Sequence, residues 1–454
     1  MRNMTLENIA QACGGQLFYM KKSLEDKTAE GIAIDSRKIE PGFIFVATKG
    51  ERVDGHRFIP DVFAKGALAV ICESLPESDM GPCIIVEDSF MALKQAAAFY
   101  RQQLDVKVVG ITGSVGKTST KEFIAAVLAE RYRVHKTAGN YNNEVGLPLT
   151  ISGIRDSDEI AVLEMGINSF GEMHRLSEVA RPDICVITNI GQCHLENLID
   201  RDGILRAKSE IFDFMNPQGT VIVNGDDDKL ATIHEVYGKA PVTFGMDPSN
   251  QIWADRIENL GLFGSRAVLH MGQETLAVEI PLPGSHMIYN AMAAAAVGRQ
   301  FGMSTEEIAA GIGHVEAVAG RSHLIKTADK VIIDDCYNAN PVSMKAAIDL
   351  LAMAKTRKVA VLGDMFELGE GELDMHAEVG LYGAEAGIDC IICVGSLSKA
   401  MYDAAVKAGG NAFYFETKDA FMEMLPSFIQ PGDTVLVKAS HSMEFEEIVA
   451  LLQQ

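Results

Sequence analysis

Val106-Lys-Val-Val-Gly110-Ile-Thr-Gly113-Ser-Val-Gly116-Lys117-Thr118-Ser119-Thr120 is the stretch from which the fold is read. An apolar run over 106–111 turns through glycines into Lys-Thr, and a helix is predicted over 121–130. That order makes a phosphate cradle. Glycines let backbone N–H groups turn inward, the helix start adds roughly half a positive charge, the lysine neutralises outer phosphates and the threonine can ligate magnesium. The spacing departs from strict G-x-x-x-x-G-K-[ST], because Ile111 stands five before Gly116 and the glycines fall at Gly110 and Gly113. Such a variant points away from motor and signalling NTPases. Nucleotide contacts are expected at Gly113, Ser114, Gly116, Lys117, Thr118 and Ser119.

Working outward, apolar strands at 160–164, 184–188 and 220–224 alternate with amphipathic helices, the pattern of a parallel sheet covered on both faces. Over 242–283 the segments become short and turn-rich, which predicts a small antiparallel patch. An alanine-rich helix over 289–301 restores the α/β pattern. From near Gly311 the alternation repeats, with strands at 331–334, 359–362, 390–394 and 434–437, as in a dinucleotide fold. Before the glycine loop, runs at 42–47 and 67–72 and a helix at 91–104 make a first unit. The expectation is an α/β protein of three domains: a mixed α/β domain over 1–100, a central ATPase-like parallel sheet with its antiparallel patch over 101–312, and a Rossmann-like domain over 313–454.

Composition narrows the function. The 454 residues, 48% of them hydrophobic, exceed one ordinary core. A net charge of −22 argues against adhesion to nucleic acid or anionic membrane, so anionic ligands must meet local positive charge or metal. The first sixteen residues lack a signal-peptide pattern, and no apolar run approaches the roughly 18 residues of a membrane span. A cytosolic protein is expected. Eight scattered cysteines suit a reducing compartment, and the one C-x-x-C pair, Cys390 and Cys393, lies in a strand-like run and reads as two core thiols.

Ligands of open α/β sheets collect beyond the carboxyl ends of strands. Glu164, Asn189 and His194 stand there, and a carboxylate and an imidazole near a phosphate loop can complete a magnesium shell with Thr118. Lys208, in a helix with Ile204, Leu205, Ile211 and Phe212, reads on its own as a surface lysine.

Taken together, Thr112-Gly-Ser-Val-Gly-Lys-Thr118, Gly139-Asn-Tyr-Asn-Asn-Glu-Val-Gly-Leu-Pro148, Glu164-Met-Gly166, Asn189-Ile-Gly191 with His194-Leu-Glu196, and Asp335-Cys-Tyr-Asn-Ala-Asn-Pro341 resemble the Mur ligases. These are the ATP-dependent amide-bond ligases of peptidoglycan precursor synthesis, and the resemblance runs over nearly the whole chain. Asp35-Ser-Arg37, Asp54-Gly-His56 and Leu362-Gly-Asp-Met-Phe-Glu-Leu-Gly369 favour the member that joins D-Ala-D-Ala to UDP-N-acetylmuramoyl-tripeptide. The resemblance implies a UDP-sugar domain, a central ATPase and a third domain that closes the site. A substrate carboxylate would take the γ-phosphoryl of ATP, and the amine would then displace phosphate.

The resemblance also implies roles. Lys117, Glu164, His194 and Lys208 would be catalytic, with Mg2+ held by Thr118, Glu164, His194 and a carbamylated Lys208. Asn290 would contact adenine, Asp335 ribose and Arg321 phosphate. Ser36, Arg37, Thr48 and His56, with Asn142, Asn143, Asn338 and Asn340, would contact the other substrates. Met287, Ala439 and His441 depart from the family pattern, the last replacing a permanent cation. A monomer without nucleic-acid partners is expected. A ligase adding one amino acid earlier in the pathway, and a kinase or regulatory NTPase, remain alternatives at this point.

Overall fold

A computed structural model describes residues 1–50 and 53–453 of the chain. Among these residues the strands form three sheets, of five, nine and six members. The central sheet runs in the order Glu274–Ile280, Ser265–Met271, Ile252–Asn259, Val242–Gly245, Thr220–Asn224, Ile184–Ile187, Lys107–Thr112, Ile160–Glu164 and Val134–Lys136. Its continuous apolar runs are explained by burial on both faces. Val109, Ile111, Val162, Val186 and Ile222 enter one core, while Val108, Ala161, Leu163, Cys185 and Val223 enter another. Lys107–Thr112 lies between Ile160–Glu164 and Ile184–Ile187, so the chain leaves it at a point where the strand order reverses. That crevice is where such sheets bind ligands.

The helix after the glycine loop begins at Lys117 and ends at Ala129, four residues before the expected start, and the alanine-rich helix begins at His286. The antiparallel patch is smaller than expected. Ile252–Asn259, Ser265–Met271 and Glu274–Ile280 do pair antiparallel, but Val242–Gly245 runs parallel to both of its neighbours.

In the first sheet Gln16–Phe18 is antiparallel to Cys83–Ile85, and Ala69–Cys72, Phe43–Val46 and Gly31–Ala33 follow in parallel. Helix Ser89–Gln102, capped by Asp88, buries Ala92, Leu93, Ala96, Ala97 and Tyr100 at three-to-four-residue spacing. It also ties the first unit to the central one, since Tyr100 donates to the Ile154 carbonyl at 2.6 Å and Arg101 to that of Ala180 at 2.9 Å. Position 100 therefore falls inside a helix shared by both units. Position 312 falls in the last turn of helix Thr305–Gly313, and the third sheet starts at His323–Lys326.

The third sheet orders His323–Lys326, Val331–Asp334, Thr434–Lys438, Lys358–Gly363, Cys390–Val394 and Ala412–Phe415, all parallel after the first pair. Cys390 and Cys393, three apart on one strand, point to opposite faces and enter different cores. All eight cysteines are buried and unpaired, as expected. Helices Glu372–Glu385 and Ser398–Lys407 meet so closely that a Cβ on Gly380 would lie 1.9 Å from the Met401 carbonyl oxygen. Gly380→Ala is expected to cost about 1–3 kcal/mol, read as a lower urea midpoint with kcat per folded molecule unchanged.

Candidate active site

The glycine loop takes its shape from two residues that only glycine serves well. Gly113 has φ +150°, and a Cβ there would lie 1.9 Å from Thr188 Oγ1; Gly116, at φ +82°, turns the chain into helix Lys117–Ala129. The segment after strand Ile184–Ile187 braces the crest. Thr188 Oγ1 and Asn189 Nδ2 both donate to the Val115 carbonyl, at 2.7 and 2.9 Å, and Asn189 Oδ1 accepts from Val115 N–H at 3.0 Å. Ser114, expected at the nucleotide, has its hydroxyl bonded to the backbone of Gly191 at 2.9 and 3.1 Å. No side chain among the described residues caps the helix, which leaves its positive end facing the cavity. Lys117 donates to the Gly113 carbonyl at 2.8 Å. Burial lowers its pKa, and the Glu164 charge opposes that shift.

Glu164 closes strand Ile160–Glu164 with 1% of its surface exposed. Asn142 Nδ2 donates to Oε1 at 2.8 Å, whereas Oε2 is buried with no partner among the described residues. A buried carboxylate oxygen left bare beside a helix start and an uncapped threonine fits a hard cation. Thr118 and His194 line the same cavity. His194, at φ +51°, places Nδ1 2.7 Å from Oε2 of Glu367 in the third domain. Lys208 differs from its reading as a surface lysine: it is 1% exposed on helix Arg201–Ser209, and burial lowers its pKa to about 8. The ionisable groups near enough to act on it are Cys193 and Lys117, and it does not itself line the cavity. Among the described residues no three His, Cys, Asp or Glu side chains converge, so these groups do not form a preformed cage.

The opposite wall belongs to the third domain. Arg321 lies over the Tyr337 ring at 3.9 Å, and the same ring stacks with His441 at 5.2 Å. Asp335 is held by Ser322 N–H at 2.8 Å and by Lys438 at 2.7 Å, and Lys438 also donates to the Asn338 carbonyl at 2.8 Å. Asn340 spends its side-chain oxygen on Ser343 N–H, capping helix Pro341–Ala352. Asn143 likewise caps Gly146 N–H at 2.8 Å. Asn290 accepts from Thr120 at 2.9 Å and donates to the sulfur of Met287 at 3.4 Å. Ala439 is fully buried, and a Cβ on Gly363 would come within 2.6 Å of its own, so the pair fits closely. His441 is more than half exposed at the rim.

Together these walls enclose about 670 Å3, a volume suited to a nucleotide. Ser36, Arg37, Thr48 and His56 do not line it. They gather instead beyond the carboxyl ends of Gly31–Ala33 and Phe43–Val46. Arg37 is clasped by Asp35 at 2.8 Å, and both His56 nitrogens are engaged, by Asp54 at 2.7 Å and Glu73 N–H at 2.9 Å. Lys38 reaches Tyr141 at 2.8 Å, joining this end of the first domain to the loop that carries Asn142. Thr188 and the pairing of Glu367 with His194 were not singled out from the sequence, because their partners are far away along the chain.

Three family models match: the Mur ligase family catalytic domain over residues 28–113, the Mur ligase middle domain over 111–298 and the Mur ligase glutamate ligase domain over 320–441. The UDP-N-acetylmuramoyl-tripeptide–D-alanyl-D-alanine ligase of Bacillus subtilis is 39% identical, over 99% of this chain and 98% of its own. A crystal structure of MurF from Acinetobacter baumannii superposes with a TM-score of 0.90 at 35% identity, covering 99% of this chain and 98% of that one. MurF ligase from Thermotoga maritima, solved in complex with ADP, gives 0.81 at 28% identity over 96% and 98%.

Proposed function

The chain belongs to the Mur ligase family, and on that premise we propose that it joins D-alanyl-D-alanine to UDP-N-acetylmuramoyl-tripeptide with consumption of ATP. The observation that carries this reading is the bare, buried Oε2 of Glu164 beside the uncapped start of helix Lys117–Ala129. A nucleoside triphosphate with its divalent ion satisfies both at once. In the reaction, an oxygen of the tripeptide carboxylate bonds to the γ-phosphorus and ADP leaves. The dipeptide amine then bonds to the acyl carbon, phosphate leaves, and the amine gives up a proton.

Each group has a task in that sequence. Gly113, Gly116, Thr118 and Ser119 present the loop and helix start to the phosphates, and Lys117 balances charge gathering on the transferred phosphoryl. Thr118 and Glu164 would hold magnesium, and His194 with a carbamylated Lys208 a second ion. Bound magnesium would neutralise phosphate oxygens. Asn142 fixes one oxygen of Glu164 and so aims the other. Asn290 would meet adenine, Asp335 ribose and Arg321 phosphate, Arg321 being already held over the Tyr337 ring. Ser36, Arg37, Thr48 and His56 would hold the UDP-sugar, whose peptide would pass Asn142 and Asn143 toward Asn338 and Asn340.

No helix among the described residues is long and apolar enough to cross a membrane. We place the reaction in the cytoplasm, carried out by a monomer, since one copy supplies every group named. Incubation with ATP, Mg2+, UDP-N-acetylmuramoyl-tripeptide and D-Ala-D-Ala is expected to give the pentapeptide, ADP and phosphate in equal amounts. Single amino acids in place of the dipeptide should give no amide. ADP release without an amide product would overturn the reading.

A further inference from the structure

Two backbone distortions face each other across the cavity. His194 at φ +51° and Glu367 at φ +61° both sit in left-handed conformations that side-chain-bearing residues disfavour, and such positions persist only where their surroundings impose them. Their side chains meet at 2.7 Å, although 173 residues separate them.

The Glu367 side is rigidly built. Its loop leaves strand Lys358–Gly363 and is tied down by Phe366 N–H to Ser440 Oγ at 2.9 Å and by Met365 N–H to the buried His376 ring at 2.9 Å. Leu368 enters the core of the third domain. A Cβ on Gly369, at φ +70°, would sit 3.4 Å from Glu196 N, so the loop lies directly against the segment that carries His194. The pair is nonetheless too exposed on the Glu367 side, at 57%, to hold the domains together by itself. Its geometry acts on orientation, not on stability.

We propose that Glu367 is a positioning residue for the ligation: brought by the third domain, its carboxylate accepts a hydrogen bond from the Nδ1–H of His194 and leaves Nε2 as the free acceptor in the cavity. An ionised carboxylate only accepts, so the proton must lie on Nδ1. A histidine that ligates through one nitrogen gains orientation and basicity from a carboxylate on the other. Here that carboxylate belongs to a different domain, so the imidazole is set only when the third domain is seated. The inference rests on the role given to His194 above.

The test uses full-length protein labelled with 15N-histidine, without nucleotide or metal. Long-range 1H–15N spectra, with His194→Gln for assignment, are expected to show His194 protonated on Nδ1. In Glu367→Ala the proton should shift to Nε2, the commoner site in a free imidazole. Kinetically, Glu367→Ala should lower kcat about 10–100-fold and raise the Mg2+ concentration for half-activation by a similar factor, with Tm and the KM for UDP-tripeptide unchanged. Glu367→Gln keeps an oxygen that accepts from Nδ1 and should recover to within a few-fold of the parent. Pentapeptide formation by the parent enzyme reads the ligase assignment separately. With that in hand, an unchanged tautomer or kcat in Glu367→Ala overturns the role of Glu367 alone, as does equal loss in both variants with a fall in Tm.

Discussion

Lys117→Ala is expected to lower kcat by about 10³-fold while leaving the fold at least as stable as before. Removing one preorganised charge or donor from a developing oxyanion costs about 10²–10³-fold, and the partner proposed for this group is the transferred phosphoryl of ATP. The stability forecast follows from what the side chain does in the free protein. Its ammonium is half-buried at the cavity wall, where desolvation lowers its pKa, and its hydrogen bond is one to the Gly113 carbonyl. Deleting a partly desolvated cation removes a cost of the same order as the bond it loses. Thr188 and Asn189 continue to brace the loop crest at Val115. Steady-state kinetics and thermal melts on one preparation check both halves. A variant retaining a tenth of the parent kcat with an intact melt would show that charge balance lies elsewhere.

The parts of the fold that were legible in advance are those set by local pattern. Strands Ile160–Glu164, Thr220–Asn224, Val331–Asp334 and Cys390–Val394 end where the apolar runs end, because double-sided burial makes each run continuous and its limits sharp. The helix start at Lys117 was obscured by Thr118, Ser119 and Thr120, poor helix formers that read as loop; the turn at Gly116 imposes it. Val242–Gly245 was misread for a different reason. Only residues 246–251 separate it from Ile252–Asn259, and so short a link ordinarily joins antiparallel strands. In the site, the phosphate loop and Glu164 were visible as motifs at strand ends. Lys208 was read as a surface lysine from its charge alone, although Ile204, Lys208, Ile211 and Phe212 fall on one helix face and the structure buries that whole stripe. Glu367 could not be paired with His194 from spacing at all.

Lys208→Ala is expected to lower kcat by about 100-fold or more, and short carboxylates such as formate or acetate should restore part of it. The amine is 1% exposed, and no carboxylate is among the charges that act on it. Burial brings its pKa from 10.5 to about 8, so about a tenth of it is neutral at pH 7, roughly 300-fold more than for an ordinary lysine. Neutral amine is the form that adds carbon dioxide. After acid treatment, the rate of reactivation at a fixed concentration of dissolved carbon dioxide should therefore climb about tenfold per pH unit and level off near pH 8. Stability responds in the pH window above that one. Because the folded pKa is depressed, the unfolded chain binds the extra proton between pH 8 and 10.5, and stability rises with pH across that window. Below pH 8 the cost stands in full, on the order of 3 kcal/mol for the unmodified amine. Lys208→Met should relieve that cost at pH 7 and raise Tm while abolishing activity. Stability and catalysis would then move in opposite directions from a single substitution, as expected of a buried lysine kept for its chemistry. Full activity in Lys208→Ala, or reactivation indifferent to carbon dioxide, would leave the burial of this amine without a catalytic purpose.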